Sequence, residues 1–424
     1  MADSQPHDAL PNGPSQAAEP GSDLRQRVEA LGLALAERLG TVLDGLPGRP
    51  RGPQRLGDTL GQTIVTASRL LKAISQSDPI AVVQLLPGPN PLRKTVQSAR
   101  GVGAGDAVCD QALESIAIFE SLIRDEAGDR GALKAMLTAW LPEERREFEA
   151  QRRQSVFKAL AELDGVSCDL IVDTLVVHPS SAGDRHDLLN VKCMLGIDRI
   201  RPDAAVNLAS RRVSPRGTEE RPRVPLNLDG EPALDGLHHS RLDTFCNAPP
   251  APFLVGTFGQ EVQYTLGPTG FGRGSTVDLV LAEWNRDEIE DREPSFEHAP
   301  YFFVHPEMPT RKLVFDVLVH KDVYGGAAPE LLSYETSSLG PARPNDPERV
   351  PDLRPSAEPM QSLGAGTRRL RILEFARYGS LLEHAFGKLG WDAGDLRAFR
   401  VAVPYPLVGR QLTLAFTRPS DAAR

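Results

Sequence analysis

Residues 166–177 read VSCDLIVDTLVV, and the pattern of the chain changes at this stretch. Before it, apolar residues recur at intervals of three and four, which is typical of helices that bury one face. From Val166 onward they gather in short β-branched runs, which favour strands of a sheet. The sequence therefore predicts an α+β protein, with an all-helical N-terminal half followed by a mixed or antiparallel sheet half with few helices.

This change divides the chain into three predicted segments. Residues 1–22 are rich in proline and polar residues and nearly free of large apolar side chains, so we expect a disordered tail. A helical domain is predicted over 23–165 and an α+β domain over 166–418. Within the α+β domain, proline-rich stretches at 212–235 and 341–359 predict exposed loops.

Periodicity predicts the individual elements. The clearest helical pattern lies at 106–125, where apolar residues step by three and four along one face. Further strands are predicted at 191–200, 204–209, 252–257, 261–266, 276–284 and 312–320. Near the C-terminus, a helix over 378–389 precedes alternating residues from Phe399 to Tyr405. A second alternating run, from Leu412 to Phe416, is interpreted as the hairpin partner of the first.

Composition limits the classes of function. The chain has 424 residues and a formal net charge of −9, so it is not a polycation that coats nucleic acid or anionic lipid. Its four cysteines are too widely spaced for a CxxC pair, which favours a reducing compartment. No apolar run approaches the roughly 18 residues of a spanning helix, and the N-terminus lacks the order of a signal peptide. We therefore expect a cytoplasmic protein without membrane contact, and no motif indicates a cofactor.

One segment points to function. Residues 55–74 read RLGDTLGQTIVTASRLLKAI. A helix-turn-helix needs a small residue where its helices cross, a glycine in the turn and apolar residues that fix the angle. Gly57, Gly61, Ala67 and Leu70 occupy those offsets, so a helix-turn-helix is predicted at 55–74.

The run LGQTIVTASR at 60–69 resembles the DNA-binding headpiece of the lactose-repressor family. In that family a glycine turn leads into a recognition helix, so the resemblance implies a bacterial-type transcription regulator that binds duplex DNA. It places Thr63, Ile64 and Val65 where the family contacts base edges. It places Thr66, Ser68 and Arg69 where the family holds phosphates or caps the helix.

Local charge agrees with this implication. Residues 51–100 carry seven basic and two acidic residues, so 7 − 2 = +5 within a chain of net −9. Such asymmetry favours one face that meets phosphate. The predicted DNA contacts are Arg55, Thr63, Thr66, Ser68, Arg69 and Lys72. The alternative is an ordinary helical hairpin with a solvated basic face. Paired half-sites would require a homodimer, although no long heptad seam is visible.

A second constellation lies in the α+β half. Asp316, His320 and Asp322 are evenly spaced along a predicted strand, so their side chains share one face. Carboxylates and an imidazole on one face could hold a divalent metal, or let an aspartate orient a histidine base. The alternative is a structural or surface role, and no catalytic residue is assigned from the sequence.

Three hypotheses of function follow. The first is a DNA-binding regulator whose C-terminal half senses a signal or meets a partner. The second is an α+β enzyme with its site around Asp316, His320 and Asp322. The third is a helical interaction module with neither catalysis nor nucleic-acid binding.

Overall fold

The structure is a computed structural model that describes residues 22–50, 52–212, 225–232, 238–247, 251–258, 261–292, 294–295, 299–356 and 358–416. Contacts divide the chain into two compact units, Met1–Arg145 and Arg146–Arg424. The first is helical and the second is built mainly of sheets, so the α+β prediction is confirmed. The predicted tail before Ser22 and most of the 212–235 stretch lie outside the described residues.

The described part of unit 1 is made of helices that follow one another closely. They are α1 Ser22–Asp44, α2 Pro53–Leu60, α3 Ile64–Ile74, α4 Pro79–Leu85, α5 Pro89–Gly101, α6 Asp106–Leu122 and α7 Arg130–Leu137. Apolar stripes of these helices form one core, in which Leu35, Leu70, Leu92 and Phe119 are almost fully buried. The helical periodicity predicted at 106–125 corresponds to α6, which a single π-helical turn extends.

Unit 2 begins with a long helix and continues in strands. Its elements are α8 Pro142–Asp164, β1 Val166–Pro179, β2 Arg185–Arg199, β3 Asn207–Arg212, β4 Phe253–Phe258, β5 Glu261–Leu266, β6 Val277–Glu290, β7 Tyr301–Val304, β8 Thr310–His320, β9 Pro329–Glu335, β10 Met360–Ala365, α9 Tyr378–Leu389, β11 Leu396–Pro404 and β12 Arg410–Phe416.

The strands form three sheets. The largest has the order β10-β11-β8-β1-β2-β6, and only its β1–β8 pair is parallel. Two three-stranded sheets have the orders β7-β12-β9 and β3-β5-β4. Both small sheets contribute to one hydrophobic core with the large sheet, while α9 covers the other face of the large sheet. Because both faces of β1 and β8 are covered, the sequences of these strands are nearly continuous apolar runs.

The unit boundary falls after the first four residues of α8, so most of this helix belongs to unit 2, whereas the sequence pattern places it in the first domain. Three contacts attach α8 within unit 2. Arg153 pairs with Glu358, Gln154 donates a hydrogen bond to the Tyr405 hydroxyl at 3.0 Å, and the Phe157 ring lies 5.5 Å from the Tyr405 ring. Helical periodicity identifies an amphipathic helix but not the unit on which it packs, so these long-range contacts were not predictable.

The predicted C-terminal hairpin is wrong. β11 pairs with β8 and β10 in the large sheet, whereas β12 pairs with β7 and β9 in a small sheet. Tyr405, at φ 51°, begins the turn that carries the chain from one sheet to the other. Alternation shows that a strand has two different faces, but it does not identify the strand's partner.

The 341–359 stretch is exposed at most of its described residues, and it is also anchored. It contains a 3₁₀ helix at Pro347–Asp352, and Arg349 within that helix is 7% exposed. The Arg349 guanidinium pairs with Asp352 and donates to the carbonyls of Gly340 and Pro341. A buried arginine therefore fixes a segment whose composition predicted only an exposed loop. Across the described ranges, no helix is long and apolar enough to cross a membrane.

Candidate functional site

α2 and α3 are joined by the three-residue turn Gly61–Thr63. Gly61 adopts the left-handed conformation at φ 61°, which strongly favours glycine, and the Gln62 N–H donates to the Gly57 carbonyl at 2.9 Å. A Cβ on Gly57 would lie 2.9 Å from the Gln62 carbonyl oxygen, so this position is too close for a side chain. The two glycines singled out in the sequence therefore shape the turn.

Thr63 and Thr66 stabilise the start of α3. Thr63 is the N-cap, and its Oγ1 accepts a hydrogen bond from the Thr66 N–H at 3.2 Å. The two hydroxyls lie 3.0 Å apart and share a further hydrogen bond. Both predicted DNA contacts thus have a local structural role, in which their polar groups satisfy each other and the helix terminus.

α3 has one buried and one exposed face. Ala67, Leu70 and Ala73 are buried in the core of unit 1. On the other side lies a group that we call the α3 face, formed by Ile64, Val65, Ser68, Arg69 and Lys72. Ile64 is 54% exposed and Val65 is 68% exposed, although both are large apolar residues. The apolar and cationic side chains at the start of α3 are therefore accessible to a partner.

Most described cations of unit 1 fall into two classes. Six arginines form ion pairs with carboxylates: Arg25, Arg27, Arg38, Arg93, Arg100 and Arg124. Within the described residues, another six cations have no carboxylate partner: Arg49, Arg55, Arg69, Lys72, Lys94 and Arg130. Three of these six, Arg55, Arg69 and Lys72, lie on α2 and α3. The unpaired positive charge is thus concentrated where the sequence predicted a nucleic-acid contact.

The pairing refines the charge count made from the sequence. Arg93 and Arg100 were counted as part of the basic segment, but α6 supplies Glu120 and Asp110 to neutralise them. The positive surface is therefore narrower than the segment 51–100. Sequence alone could not show this, because the neutralising carboxylates follow that segment in the chain.

Arg130 lies close to the α3 face. Its Nη2 donates to the carbonyls of Val83 and Gln84, at 2.7 and 3.0 Å, near the end of α4. Burial, assisted by the nearby Arg69 charge, lowers the pKa of Arg130 to about 10. The effect of the Arg69 charge on this pKa indicates that the two guanidinium groups are near each other.

Asp316, the first residue of the second candidate constellation, is fully buried against α9. Its two carboxylate oxygens accept hydrogen bonds from Arg400 Nε and Nη2 at 2.7 and 2.6 Å. The Tyr378 hydroxyl donates to Asp316 Oδ2 at 2.6 Å and lies 2.8 Å from the Thr174 hydroxyl. We call these four residues the Asp316 group. Burial and the Asp316 charge raise the pKa of Tyr378 far above its usual value, so this hydroxyl remains a donor.

His320 lies at the far end of β8 with other neighbours. Its Nδ1 accepts from the Asp322 backbone N–H at 3.3 Å, and its Nε2 lies 3.8 Å from an Asp395 oxygen. The His178 ring lies 4.8 Å away and stacks on Trp391. Four residues along a strand span about 13 Å, so His320 and Asp316 share a face of β8 but not a site. The structure therefore brings His320 and Asp322 together, with His320 Nδ1 3.6 Å from Asp322 Oδ2, but it leaves Asp316 apart from them.

A buried charge cluster that the sequence analysis missed lies on β1 and β2. Asp173 pairs in register with Lys192, whose Nζ lies 3.5 Å from Glu307 Oε1. Burial raises the pKa of Asp173 to about 6, against the lowering effect of Lys192. Its Oδ1 has no hydrogen-bond partner among the described residues. The signal in the sequence was a single aspartate inside the apolar run 170–177.

Metal and thiol chemistry find no support in the described part of the chain. No group of three histidine, cysteine, aspartate or glutamate side chains there is arranged to hold a metal ion. All four cysteines are free, and burial raises the pKa of Cys168 to about 12. A buried thiol with a raised pKa stays protonated and is therefore unreactive. No family model matches the chain, and no curated protein matches it in sequence.

Proposed function

We propose that unit 1 binds duplex DNA through the α3 face together with Arg55 of α2, and that the protein is a cytoplasmic transcription regulator. One observation carries this proposal. Arg55, Arg69 and Lys72 on α2 and α3 have no carboxylate partner among the described residues, while six other arginines of unit 1 are paired with carboxylates. A protein that binds phosphate needs cations that no internal carboxylate already holds.

Two kinds of side chain would contact the DNA in different ways. Arg55, Arg69 and Lys72 would neutralise backbone phosphates, which gives affinity on any sequence. Ile64 and Val65 are exposed at the start of α3 and can contact thymine methyl groups in the major groove. Thr63 and Thr66 would act indirectly, since their hydroxyls fix the N-terminus of α3. A homodimer would present two such helices to paired half-sites.

The test is binding of a labelled random duplex at two salt concentrations, measured by fluorescence anisotropy. We expect affinity to fall steeply with salt, because phosphate contacts release counterions. The Arg69→Ala/Lys72→Ala double variant should bind at least about tenfold more weakly on all sequences and should reduce the salt slope by about 2.

The matched control is the Arg25→Ala/Arg124→Ala double variant. It also removes two positive charges from unit 1, but these arginines already pair with Glu29 and Asp125. We expect its affinity to remain close to that of the parent protein. Equal loss in both double variants would mean that only net charge matters, and unchanged binding in the α3 variant would exclude this face. Either result would overturn the proposal.

The exposed Ile64 and Val65 favour a second candidate function, docking of a protein partner on the same face. Large apolar side chains that remain exposed and adjacent are typical of interaction surfaces. The Ile64→Ser/Val65→Ser variant separates the two functions. It should preserve salt-sensitive binding to random duplex if phosphate contacts dominate, and it should abolish the association of a partner that binds through apolar contact.

A further inference from the structure

Three consecutive tight turns precede α9 in unit 2. The Leu370 N–H donates to the Thr367 carbonyl at 2.9 Å, and the Phe375 N–H donates to the Ile372 carbonyl at 3.1 Å. The third turn is closed in the same way, from the Tyr378 N–H to the Phe375 carbonyl, at 3.1 Å. In a four-residue turn closed by such a hydrogen bond, the two central residues lie at the bend.

The bends of these turns carry side chains that the protein leaves exposed. Arg368 and Arg369 occupy the bend of the first turn, Leu373 lies at the bend of the second, and Arg371 lies between the two turns. Leu373 is 97% exposed, the largest fraction among the large apolar residues that the structure describes. We call these four residues the arginine ridge. An apolar side chain this exposed adds nothing to the core of its own chain.

Buried residues hold the arginine ridge in place. Leu370, Ile372 and Phe375 lie between or next to the ridge residues in the sequence and are buried in the core that α9 covers. Arg400 of the Asp316 group donates from Nη1 to the Arg371 carbonyl at 2.8 Å. The ridge is therefore exposed on a fixed backbone, because the core and the Asp316 group anchor the turns that carry it.

The described residues leave the positive charge of the ridge unneutralised. Its three arginines have neither an ion pair nor a side-chain hydrogen bond there. Glu374, the one acidic residue of the segment 368–377, is held by Lys312 at 2.8 and 3.0 Å. By contrast, exposed arginines such as Arg201 and Arg292 pair with carboxylates. Three unpaired guanidinium groups favour a partner with phosphate or carboxylate oxygens.

The leucine among the arginines narrows the choice of anionic partner. A lipid bilayer is disfavoured, because even a whole acyl chain gives only marginal membrane binding and the ridge offers a single leucine. Proteins that bind the minor groove of DNA combine arginines with an apolar side chain, leucine among them, that wedges between neighbouring base pairs. The ridge has both elements on one fixed support.

We propose that the arginine ridge is a second DNA contact of this chain, in which Leu373 enters the minor groove and kinks the duplex. Arg368, Arg369 and Arg371 bind the flanking phosphates. The choice of DNA over an acidic protein rests on the proposed function, in which unit 1 already binds a duplex. The two contacts use different residues, so each can fail without the other.

Affinity for a labelled random duplex tests the arginines on the full chain. Arg368→Gln/Arg369→Gln should weaken binding about tenfold and reduce the salt slope by about 2, because two phosphate contacts are lost. The matched control is Arg201→Gln/Arg292→Gln. It removes the same charge from arginines that carboxylates already hold, so it should bind like the parent.

Energy transfer between dyes at the two ends of a short duplex tests Leu373. Binding of the parent protein should shorten the end-to-end distance, since a wedge kinks DNA by about 20–90°. Leu373→Ser should lose this change, whereas Leu373→Met should retain it because methionine also serves as a wedge. Both variants should keep the melting temperature of the parent, because Leu373 is exposed.

The Arg69→Ala/Lys72→Ala variant separates this proposal from the function proposed for unit 1. At saturating protein it should still shorten the end-to-end distance, although it binds more weakly. If only the ridge variant weakens binding, the contact through the α3 face fails and the ridge stands. If only the α3 variant weakens binding, the ridge fails.

Three further outcomes would overturn the proposal. The first is an equal loss of affinity in Arg368→Gln/Arg369→Gln and in its control, which would leave only net charge as the cause. The second is an unchanged energy-transfer signal with Leu373→Ser. The third is that Arg368→Gln/Arg369→Gln keeps its DNA affinity but loses binding to vesicles of phosphatidylserine and phosphatidylcholine, which would assign the ridge to a membrane.

Discussion

The Asp316 group and the α3 face contain similar residue types in opposite circumstances. Asp316 and Arg400 are buried, and both carboxylate oxygens of Asp316 accept hydrogen bonds. Arg69 and Lys72 are exposed and have no carboxylate partner among the described residues. Asp316 and the α3 face both belonged to candidate sites singled out in the sequence. The difference teaches that the partners of a charged group, rather than its chemical type, separate a structural charge from one available for binding.

The largest change in stability is expected when a partner is removed from the Asp316 group. Asp316→Ala should lower the free energy of unfolding by about 3–5 kcal/mol, because it leaves the Arg400 guanidinium buried and uncompensated. Urea unfolding followed by tryptophan fluorescence measures the change.

The control for this prediction removes both charges together. The Asp316→Leu/Arg400→Met double variant should recover most of the stability that the single variant loses, because no buried charge then lacks a partner. If Asp316→Ala lowers the free energy of unfolding by less than about 1 kcal/mol, water already reaches the ion pair of Asp316 and Arg400.

Asp173 provides an intermediate case, since it is buried but incompletely partnered. Its folded pKa of about 6 exceeds the usual value near 3.9, so the folded state binds the proton more tightly than the unfolded state. Stability should therefore fall as pH rises from about 4 to about 6, by about 2–3 kcal/mol in total.

The Asp173→Asn variant tests the cause of this slope. It should be more stable than the parent at pH 7 and of equal stability below about pH 4, where the aspartate is protonated in both states. Thermal melts of the parent and of Asp173→Asn across this pH range measure the two stability profiles. A parent and variant with parallel pH profiles would show that Asp173 is not responsible.

The smallest expected effect is at the α3 face. Arg69→Ala/Lys72→Ala should change the free energy of unfolding by no more than about 0.5 kcal/mol, because exposed side chains without partners contribute little to stability. The same double variant is expected to lose DNA affinity. A large loss of stability would place these residues with the Asp316 group and contradict the comparison.

The spacing of apolar residues predicted helices and strands well where those residues form the buried face of the element. The periodicity of α6 and the apolar runs of β1 and β8 appear in the structure at nearly the predicted positions. Three strands were missed for identifiable reasons. β7 has only four residues, β9 begins with proline, and β10 is an exposed edge strand with little apolar character.

The sites were predictable only in part. The glycine pattern of 57–61 indicated the turn before α3, because turn geometry depends on local residues. The Asp316 group depends on Arg400, which lies 84 positions away. The cluster of Asp173, Lys192 and Glu307 combines β1, β2 and the segment before β8, which no spacing rule connects. Contacts of this kind depend on how distant strands meet, which a single sequence does not encode in a readable pattern.

The separation of β11 and β12 into different sheets has a consequence for how the chain is made. β11 lies inside the large sheet, and β12 is the central strand of a small sheet. Neither sheet can close until these late strands are synthesised, whereas the helices that build unit 1 all precede Arg146. Long-range pairing slows folding. Unit 1 can therefore fold before β11 and β12 are synthesised, while the earlier apolar strands of unit 2 remain without these partners until then.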